Sequence, residues 1–436
     1  MKRLPNTFIL LVAACLWSCA GQNWLEINMM PAPEVYGEGS IDPFADATPI
    51  DDLPYDGILY ATDREPATED DKEKYYINDR GNFLRLGRAG VELAVADITW
   101  EEARQVSLLK NRGRDYPIKV KEIEEFGPLD RTALPFRTPD ELGDDSHAPA
   151  AEFAAAVNTK LAISKRKHVY IYVHGYKVVF ENPVLVAMEL WHFLGNDGVF
   201  VAYAWPSTPS RWAYLKDTET AAGYARNLRI FLEYLAEETD AEEIHVLGYS
   251  AGTRLVSRAF EQLALIHTES TPKEIHETLR IGNMILVGSD VDRQVFGSYV
   301  ADGLLEMPRH LTVYMSEKDK ALGASRFLTR RERLGEMWKE HPAHLDDYMN
   351  EREADVSIIN VTQAEGGTSG NGHGYFRNSP WVSSDVLMTL MYDLAPGNRG
   401  LVRQNDTLLW GFPPDYIQRL RNALGEVNPQ FKAQPD

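Results

Sequence analysis

Residues Glu243 to Val256 read E-I-H-V-L-G-Y-S-A-G-T-R-L-V: an apolar run, a serine between two glycines and an amphipathic run. The segment predicts a strand, a sharp turn and a helix. Glycine has no Cβ, so Gly248 and Gly252 would let the strand and the helix close tightly around Ser250. Such a turn exposes the serine oxygen and points backbone N–H groups at it. Ser250 is therefore a candidate nucleophile, and the alternative is a tight turn without chemistry.

Strand-like and helix-like segments alternate on both sides of this turn. Lys167 to Gly175 and Gly198 to Trp205 are continuous β-branched and aromatic runs, as in strands buried on both faces. Further strands are predicted at Ile281 to Val287, Leu311 to Met315 and Val356 to Val361. This alternation predicts an α/β fold with a mostly parallel, doubly wound sheet. Its ligand site is expected at the carboxyl ends of the strands.

Composition narrows the classes of function. The chain has 436 residues, of which 44% are hydrophobic and 25% charged, and a formal net charge of −20. The hydrophobic fraction is sufficient for a large core. The negative charge argues against nucleic-acid binding and against docking on anionic lipid by charge. No metal site or cofactor is predicted, because the sequence has no H-E-x-x-H, no Gly-rich phosphate loop and no cysteine pair for a metal.

The first residues resemble the signal of a bacterial lipoprotein. A short basic start precedes an apolar run from Phe8 to Trp17, and Leu16-Trp-Ser-Cys19 is similar to a lipobox. This predicts a signal peptide over residues 1–18 and a lipid on Cys19, with Cys15 as the alternative. An ordinary signal peptide or an uncleaved anchor remains open, although the run is short for a span of about 20 residues. The expected location is the bacterial cell envelope, on the periplasmic side of the outer membrane, with membrane contact only through this lipid.

The rest of the chain divides by composition. Residues 19–56 are rich in Pro, Gly and acidic side chains and predict a flexible or loosely docked tether. Residues 57–164 form a β-rich N-terminal extension, which extends the main sheet or makes a small subdomain. Residues 165–395 hold the α/β domain with a charged helical insertion over about 323–354, and residues 396–436 form a C-terminal extension.

Six segments carry a resemblance to a known family. They are Y-V-H-G-Y at 172–176, A-W-P-S at 204–207, Y-L-K-D at 214–217, G-Y-S-A-G at 248–252, V-Y-M-S-E-K-D-K-A-L at 313–322 and G-H-G-Y-F at 372–376. In this order they resemble the DUF900-like α/β-hydrolase family of unknown function, of the serine-hydrolase type, over roughly residues 165–395. The resemblance implies an α/β-hydrolase fold. Tyr249 stands where relatives commonly carry histidine.

In α/β-hydrolases the catalytic groups follow the chain order Ser, then Asp or Glu, then His. The expected base is His373, in a glycine-rich loop after the last strand. The other histidines after Ser250 are His267, His276, His310, His341 and His344. Asp319 follows the penultimate strand and matches the acid motif of the family, and Asp290, one strand earlier, remains the alternative acid.

An oxyanion hole needs two donors. The backbone N–H of Ala251 is expected to be one and that of Tyr176 the other. His174, beside the second donor, is expected to brace the loop and not to carry a proton in the reaction.

The sequence thus predicts a membrane-tethered serine hydrolase that cleaves a carboxylic ester or thioester through an acyl-enzyme on Ser250. The expected substrate is a small or lipid-like acyl compound, in a pocket built by residues 205–214, 291–305 and the charged insertion. Two alternatives remain: an acyltransferase with the same triad, and a non-catalytic envelope scaffold.

Overall fold

The computed structural model describes residues 25–43, 57–96, 98–136, 142, 145–337, 351–352, 355–404 and 409–431. The predicted signal peptide, Cys15 and Cys19 lie outside these ranges. In the described chain, no helix is both long and apolar enough to cross a bilayer.

Within the described ranges, twelve strands form one sheet in the order β1-β4-β3-β2-β6-β5-β7-β8-β9-β10-β12-β11. The strands are β1 (Glu26–Asn28), β2 (Ile58–Pro66), β3 (Tyr76–Leu93), β4 (Pro117–Pro128), β5 (His168–Val173), β6 (Val199–Ala204), β7 (Glu243–Tyr249), β8 (Ile281–Val287), β9 (His310–Met315), β10 (Val356–Asn360), β11 (Val402–Arg403) and β12 (Leu409–Gly411). Neighbours from β2 through β12 run parallel, and the strands at the two edges run antiparallel. The predicted fold, with its mostly parallel sheet, is confirmed.

Helices cover both faces of this sheet. They are α1 (Trp100–Ser107), α2 (Ala148–Ile163), α3 (Glu181–Phe193), α4 (Tyr214–Gly223), α5 (Ala225–Glu238), α6 (Gly252–Ile266), α7 (Pro272–Leu279), α8 (Arg293–Ala301), α9 (Lys320–Thr329), α10 (Tyr375–Asn378), α11 (Pro380–Tyr392) and α12 (Tyr416–Val427). Because successive side chains of a strand point to opposite faces, β5 supplies two cores. Val169, Ile171 and Val173 pack in one core, and Tyr170 and Tyr172 pack in the other.

The N-terminal extension continues the sheet. β2 pairs in parallel with β6, and β3 and β4 add to it in antiparallel register. Main-chain hydrogen bonds therefore join residues 57–128 directly to the α/β core, as in the simpler of the two sequence interpretations.

The predicted tether is wrong for residues 25–43. Val35 and Tyr36 are fully buried in the core. The N–H of Val35 donates to Ser384 Oγ at 3.0 Å, and its carbonyl accepts from Arg421 Nε at 3.2 Å. The Pro-rich composition suggested a linker, but two apolar side chains anchor this segment against α11 and α12. Residues 44–56 lie outside the described chain.

The predicted helical insertion is helical over residues 323–329, within α9, and is wrong for residues 330–337. Helix α9 ends at Thr329, and Arg330 adopts a left-handed conformation with φ +56°. Residues 330–337 then run irregularly and make two isolated bridges, from Arg333 to Asp292 and from Glu336 to Ser316. The charged composition predicted a helix through this segment, yet the chain is irregular there and Arg333 is buried. Residues 338–350 and 353–354 are outside the described ranges.

Candidate active site

Ser250 occupies the turn between β7 and α6. Its φ is +53°, a strained value for a residue with a side chain. Three hydrogen bonds hold its backbone there. Its N–H donates to Val287 O at 2.9 Å, and its carbonyl accepts from the hydroxyl of Thr253 at 2.6 Å and from the N–H of Thr253 at 3.0 Å. The turn between strand and helix was predicted from the sequence, and its strain is fixed by β8 and α6.

Gly252 allows the close approach of α6 to the end of β5. A Cβ at this position would lie 2.2 Å from His174 O and 2.7 Å from Val173 O, both backbone atoms. Gly175 contacts the same turn from the other side, since a Cβ there would lie 2.9 Å from Ser250 Cβ. No side chain fits at either position without displacing the main chain.

Gly252→Ala is expected to destabilise the protein by about 3 kcal/mol, because backbone cannot yield to the new methyl group as a flexible side chain can. Urea unfolding measures the change. The matched control is Gly297→Ala, also within a helix, where no atom lies within 4 Å of the added Cβ. The control should be neutral or more stable by up to about 1 kcal/mol, since alanine favours helices. Equal stability of the two variants would contradict the close approach.

The structure brings Ser250, His373 and Asp319 together at the carboxyl ends of β7, β10 and β9. His373 Nε2 lies 2.8 Å from Ser250 Oγ, and His373 Nδ1 lies 2.6 Å from Asp319 Oδ2. All three side chains are buried. With a proton on Nδ1, the ring donates to the carboxylate and accepts the serine hydroxyl through Nε2. This is the geometry that a serine nucleophile and its base require.

Electrostatics favour the charged form of His373. Burial lowers the pKa of His373, but the charge of Asp319 and its hydrogen bond outweigh that effect, so the pKa lies above its usual 6.5. Asp319 itself is held by its second oxygen, which accepts from the N–H of Leu322 at 2.9 Å and caps α9. The positive end of this helix suits a carboxylate.

The loop that carries His373 is built to place the ring. Gly372 has φ +69°, and a Cβ there would lie 2.5 Å from Lys318 O. The side chain of Asn371 accepts from the N–H of His373 at 3.1 Å. The ring of Tyr249 packs on His373 with 5.1 Å between centroids. The residue that precedes the nucleophile therefore supports the histidine, a role that the sequence did not suggest.

Asp290, the alternative acid, is engaged elsewhere. Its carboxylate accepts from the hydroxyls of Tyr214 at 2.7 Å and Ser325 at 2.6 Å, and from Arg254 Nε at 3.0 Å. Arg333 Nε lies 3.5 Å from the same carboxylate. Both ring nitrogens of His373 are already used by Ser250 and Asp319, so the geometry favours Asp319 as the acid. Asp290 instead ties together α4, α6, α9 and the segment after α9.

The two predicted oxyanion donors lie beside Ser250. Ala251 follows it directly and caps α6, where the helix N-terminus presents backbone N–H groups to a negative charge. Tyr176 follows Gly175, which contacts the serine, and its ring packs edge-on against Tyr214 at 5.5 Å. Their role as donors stays a prediction.

His174 is a buried brace. Nδ1 lies 2.6 Å from Gly175 O, and Nε2 lies 3.1 Å from Trp205 O. Burial, together with the nearby charge of Arg64, lowers the pKa of His174 to about 3. The ring is therefore neutral and, with a single N–H, donates to one of these two carbonyls. Trp205 Nε1 in turn donates to His174 O at 2.6 Å, which joins the loop after β5 to the end of β6.

Arg64 is a supporting residue that sequence reasoning missed. It lies at the end of β2 and is fully buried. It donates to Val178 O at 2.9 Å and to Asn78 Oδ1 at 2.5 Å. Burial lowers the pKa of Arg64 to about 10. Arg64 offered no sequence signal, because its contacts depend on the pairing of β2 with β6.

Three potential metal ligands, His168, Glu243 and His245, lie near the amino-terminal ends of β5 and β7, at the edge of the sheet away from Ser250. Their donor atoms are within 4.8 Å of one another. However, His245 Nδ1 accepts the N–H of Asn283 at 3.0 Å, so a neutral ring carries its proton on Nε2. Burial lowers the pKa of His245, which keeps the ring neutral. Nε2 faces His168 Nδ1 at 3.1 Å as a donor, and this arrangement does not fit a metal.

A cleft of about 1080 Å³ lies on the N-terminal extension, between β3, β4, α1 and α3. Its walls include Met29, Val91, Met188 and Glu189, and none of its lining residues belongs to the Ser250 site. We therefore place the candidate chemistry at the strand ends and not in this cleft.

A parallel sheet with a strained serine turn, and with His and Asp on loops after later strands, defines the class of α/β-hydrolases. A family model described as alpha/beta hydrolase of unknown function, DUF900, matches residues 149–390. The chain belongs to this family, as its six segments predicted, and the family supports a hydrolase.

A solved structure from Lactobacillus plantarum, described provisionally as a cell surface hydrolase, is similar over 58% of this chain and 94% of its own, with 11% identity and a TM-score of 0.26. No curated protein matches significantly.

Proposed function

We propose that this hydrolase cleaves a carboxylic ester or thioester through an acyl-enzyme on Ser250. The observation that carries the proposal is the hydrogen-bonded chain from Ser250 Oγ through His373 to Asp319. A buried histidine that contacts a serine with one nitrogen and a carboxylate with the other is suited to take the serine proton.

The reaction begins when Ser250 Oγ attacks the acyl carbon and its proton passes to His373 Nε2. Asp319 stabilises the imidazolium that forms. The negative charge on the acyl oxygen is held by the N–H groups of Ala251 and Tyr176, each worth about 3 kcal/mol. His373 then protonates the leaving group, and the carbon–leaving-group bond breaks. Water, deprotonated by the same histidine, releases the acid and restores Ser250.

We also propose that the protein is lipid-anchored in the bacterial cell envelope through Cys19, facing the periplasm from the outer membrane. The support is the lipobox-like segment at residues 16–19 and the basic and apolar start before it. A small or lipid-like acyl compound is the proposed substrate.

A fluorophosphonate probe tests the proposed chemistry, because it reacts only with an activated serine. We expect labelling on the peptide that contains Ser250, and loss of labelling after denaturation. Matched esters, thioesters and amides of increasing acyl length then define the substrate, with esters and thioesters cleaved. Acyl transfer to an added alcohol in preference to water would favour the acyltransferase. Absence of both labelling and turnover in folded protein would favour a non-catalytic scaffold.

A further inference from the structure

Five large apolar side chains are exposed on the elements around Ser250. We name them the apolar rim: Trp212 (80% exposed), Leu215 (70%), Val295 (42%), Phe327 (60%) and Leu328 (57%). Trp212 lies in the 3-10 turn Arg211–Ala213 just before α4, Leu215 lies in α4, Val295 in α8, and Phe327 and Leu328 in α9. Single exposed apolar side chains are ordinary, but a group of this kind on adjoining elements marks an interaction surface.

Hydrogen bonds hold these three elements side by side. The hydroxyls of Tyr214, between Trp212 and Leu215, and of Ser325, two residues before Phe327, lie 2.6 Å apart. Next to Val295, Gln294 Oε1 accepts from Arg331 Nη1 at 3.2 Å, just beyond the end of α9. The elements that carry the rim therefore adjoin one another.

The rim adjoins the candidate active site. Tyr214 and Ser325 both donate to Asp290, whose N–H lies 3.5 Å from Ser250 O. The ring of Tyr214 also packs on Tyr176, one of the two predicted oxyanion donors. The rim thus lies at the carboxyl edge of the sheet, the edge from which a substrate reaches Ser250.

The charge of this region differs from that of the whole chain. Residues 320–336 hold five basic and two acidic side chains, in a protein of net charge −20. Lys320, Arg326, Arg330 and Arg331 are exposed. Glu336 lies 3.4 Å from Arg326, and Asp292 lies 3.9 Å from Arg331, so the acids offset only part of this charge. The overall charge argues against anionic lipid, whereas the local charge at the rim is complementary to it.

We propose that the apolar rim docks on an anionic phospholipid bilayer with the Ser250 site facing the lipid. Tryptophan and other apolar side chains beside exposed arginines are suited to the headgroup boundary, where the rings enter the acyl region and the guanidinium groups meet phosphates. The globular part then contacts the membrane directly, in addition to any lipid on Cys19. This contact does not depend on the proposed chemistry, since no catalytic group takes part in it.

A fluorophore that brightens in apolar surroundings tests which face meets the lipid. The sequence has two cysteines, so the full chain with Cys15→Ser and Cys19→Ser accepts a single label. Labels at Trp212→Cys and Phe327→Cys report on the rim. The control is Leu265→Cys, an exposed position near the far end of α6, about 20 Å along the helix from Ser250. Vesicles of phosphatidylcholine with phosphatidylglycerol should raise fluorescence about twofold at the rim and leave the control unchanged.

The apolar run from Phe8 to Trp17 can hold every variant on a vesicle equally. The test is therefore the difference in fluorescence change between the rim labels and the label at position 265. Replacing Arg326, Arg330 and Arg331 with glutamine should abolish the preference of the rim signal for anionic over neutral vesicles. No vesicle-dependent change at the rim, or an equal change at position 265, would overturn the proposal. If the rim instead binds another protein or a second copy of this chain, the rim labels would show no vesicle-dependent change. Fluorophosphonate labelling is measured separately in solution, so a failure of the proposed chemistry can be distinguished from a failure of the proposed membrane docking.

Discussion

Ser250→Ala is expected to lower kcat on a short-chain ester by about 10⁵-fold to 10⁶-fold, because the acyl-enzyme loses its attachment point. Binding should persist, since the backbone donors at Ala251 and Tyr176 remain. Alanine at φ +53° meets the same backbone strain as serine, so thermal unfolding should change little. Steady-state kinetics and a melting curve measure both effects.

The matched control is Ser298→Ala, on the exposed face of α8, where the hydroxyl donates to Val295 O at 2.7 Å. This variant should keep wild-type kcat. Turnover that survives Ser250→Ala at the wild-type rate would exclude Ser250 as the nucleophile.

Asp319→Asn is expected to lower kcat by about 10³-fold to 10⁴-fold, because an amide neither fixes the productive tautomer of His373 nor stabilises its charge. Asparagine still caps α9, so the fold should be retained. The pKa of His373 is raised above 6.5 by Asp319, and the base must be neutral to act. Wild-type kcat/KM should therefore rise with pH through a pKa above 6.5, and the variant should shift this limb to lower pH. A pH-rate profile measures both.

The same pKa shift has a consequence for stability. The pairing with Asp319 stabilises the fold fully below the unfolded pKa of His373, and this contribution is lost as pH rises through the higher folded pKa. Asp319→Asn should remove this pH dependence of the free energy of unfolding.

The variant Asp290→Asn tests whether Asp319 or Asp290 is the catalytic acid. It leaves Arg254 and Arg333 without their counter-charge and should cost about 3 kcal/mol of stability, while the folded fraction keeps most of its turnover. If Asp290→Asn instead lowers kcat as far as Asp319→Asn with the fold intact, the assignment of the acid is wrong.

Much of the fold was predictable because parallel strands that are buried on both faces have mostly apolar sequences. The run at β6 is continuous and apolar, that at β5 is apolar and aromatic after His168, and each is followed by a helix. The serine turn was predictable for a similar reason, since the requirement for Gly248 and Gly252 is local. The base and the acid were selected through the resemblance to a family and through chain order, and not from periodicity.

The errors have a common physical cause. Residues 25–43 suggested a tether because their composition is that of a linker, yet Val35 bonds to Ser384, 349 positions away. The charged residues near Arg333 predicted a helix, yet the chain there is irregular and Arg333 is buried against Asp290. The composition of a segment indicates the conformation that it prefers in isolation. It does not indicate which residues far away in the sequence will pack against that segment.

Local pattern alone determined the parallel sheet, the strained turn at Ser250 and the helices between the strands, because these depend on neighbours within a few residues. Tertiary structure decided which groups meet. His373 reaches Ser250 across 123 positions and Asp319 across 54. Only the packed sheet places these loops at one edge, since the order of strands in space differs from their order in the chain. The exposed rim beside the serine is likewise a product of packing, which buried most apolar side chains and left these five among the exposed ones.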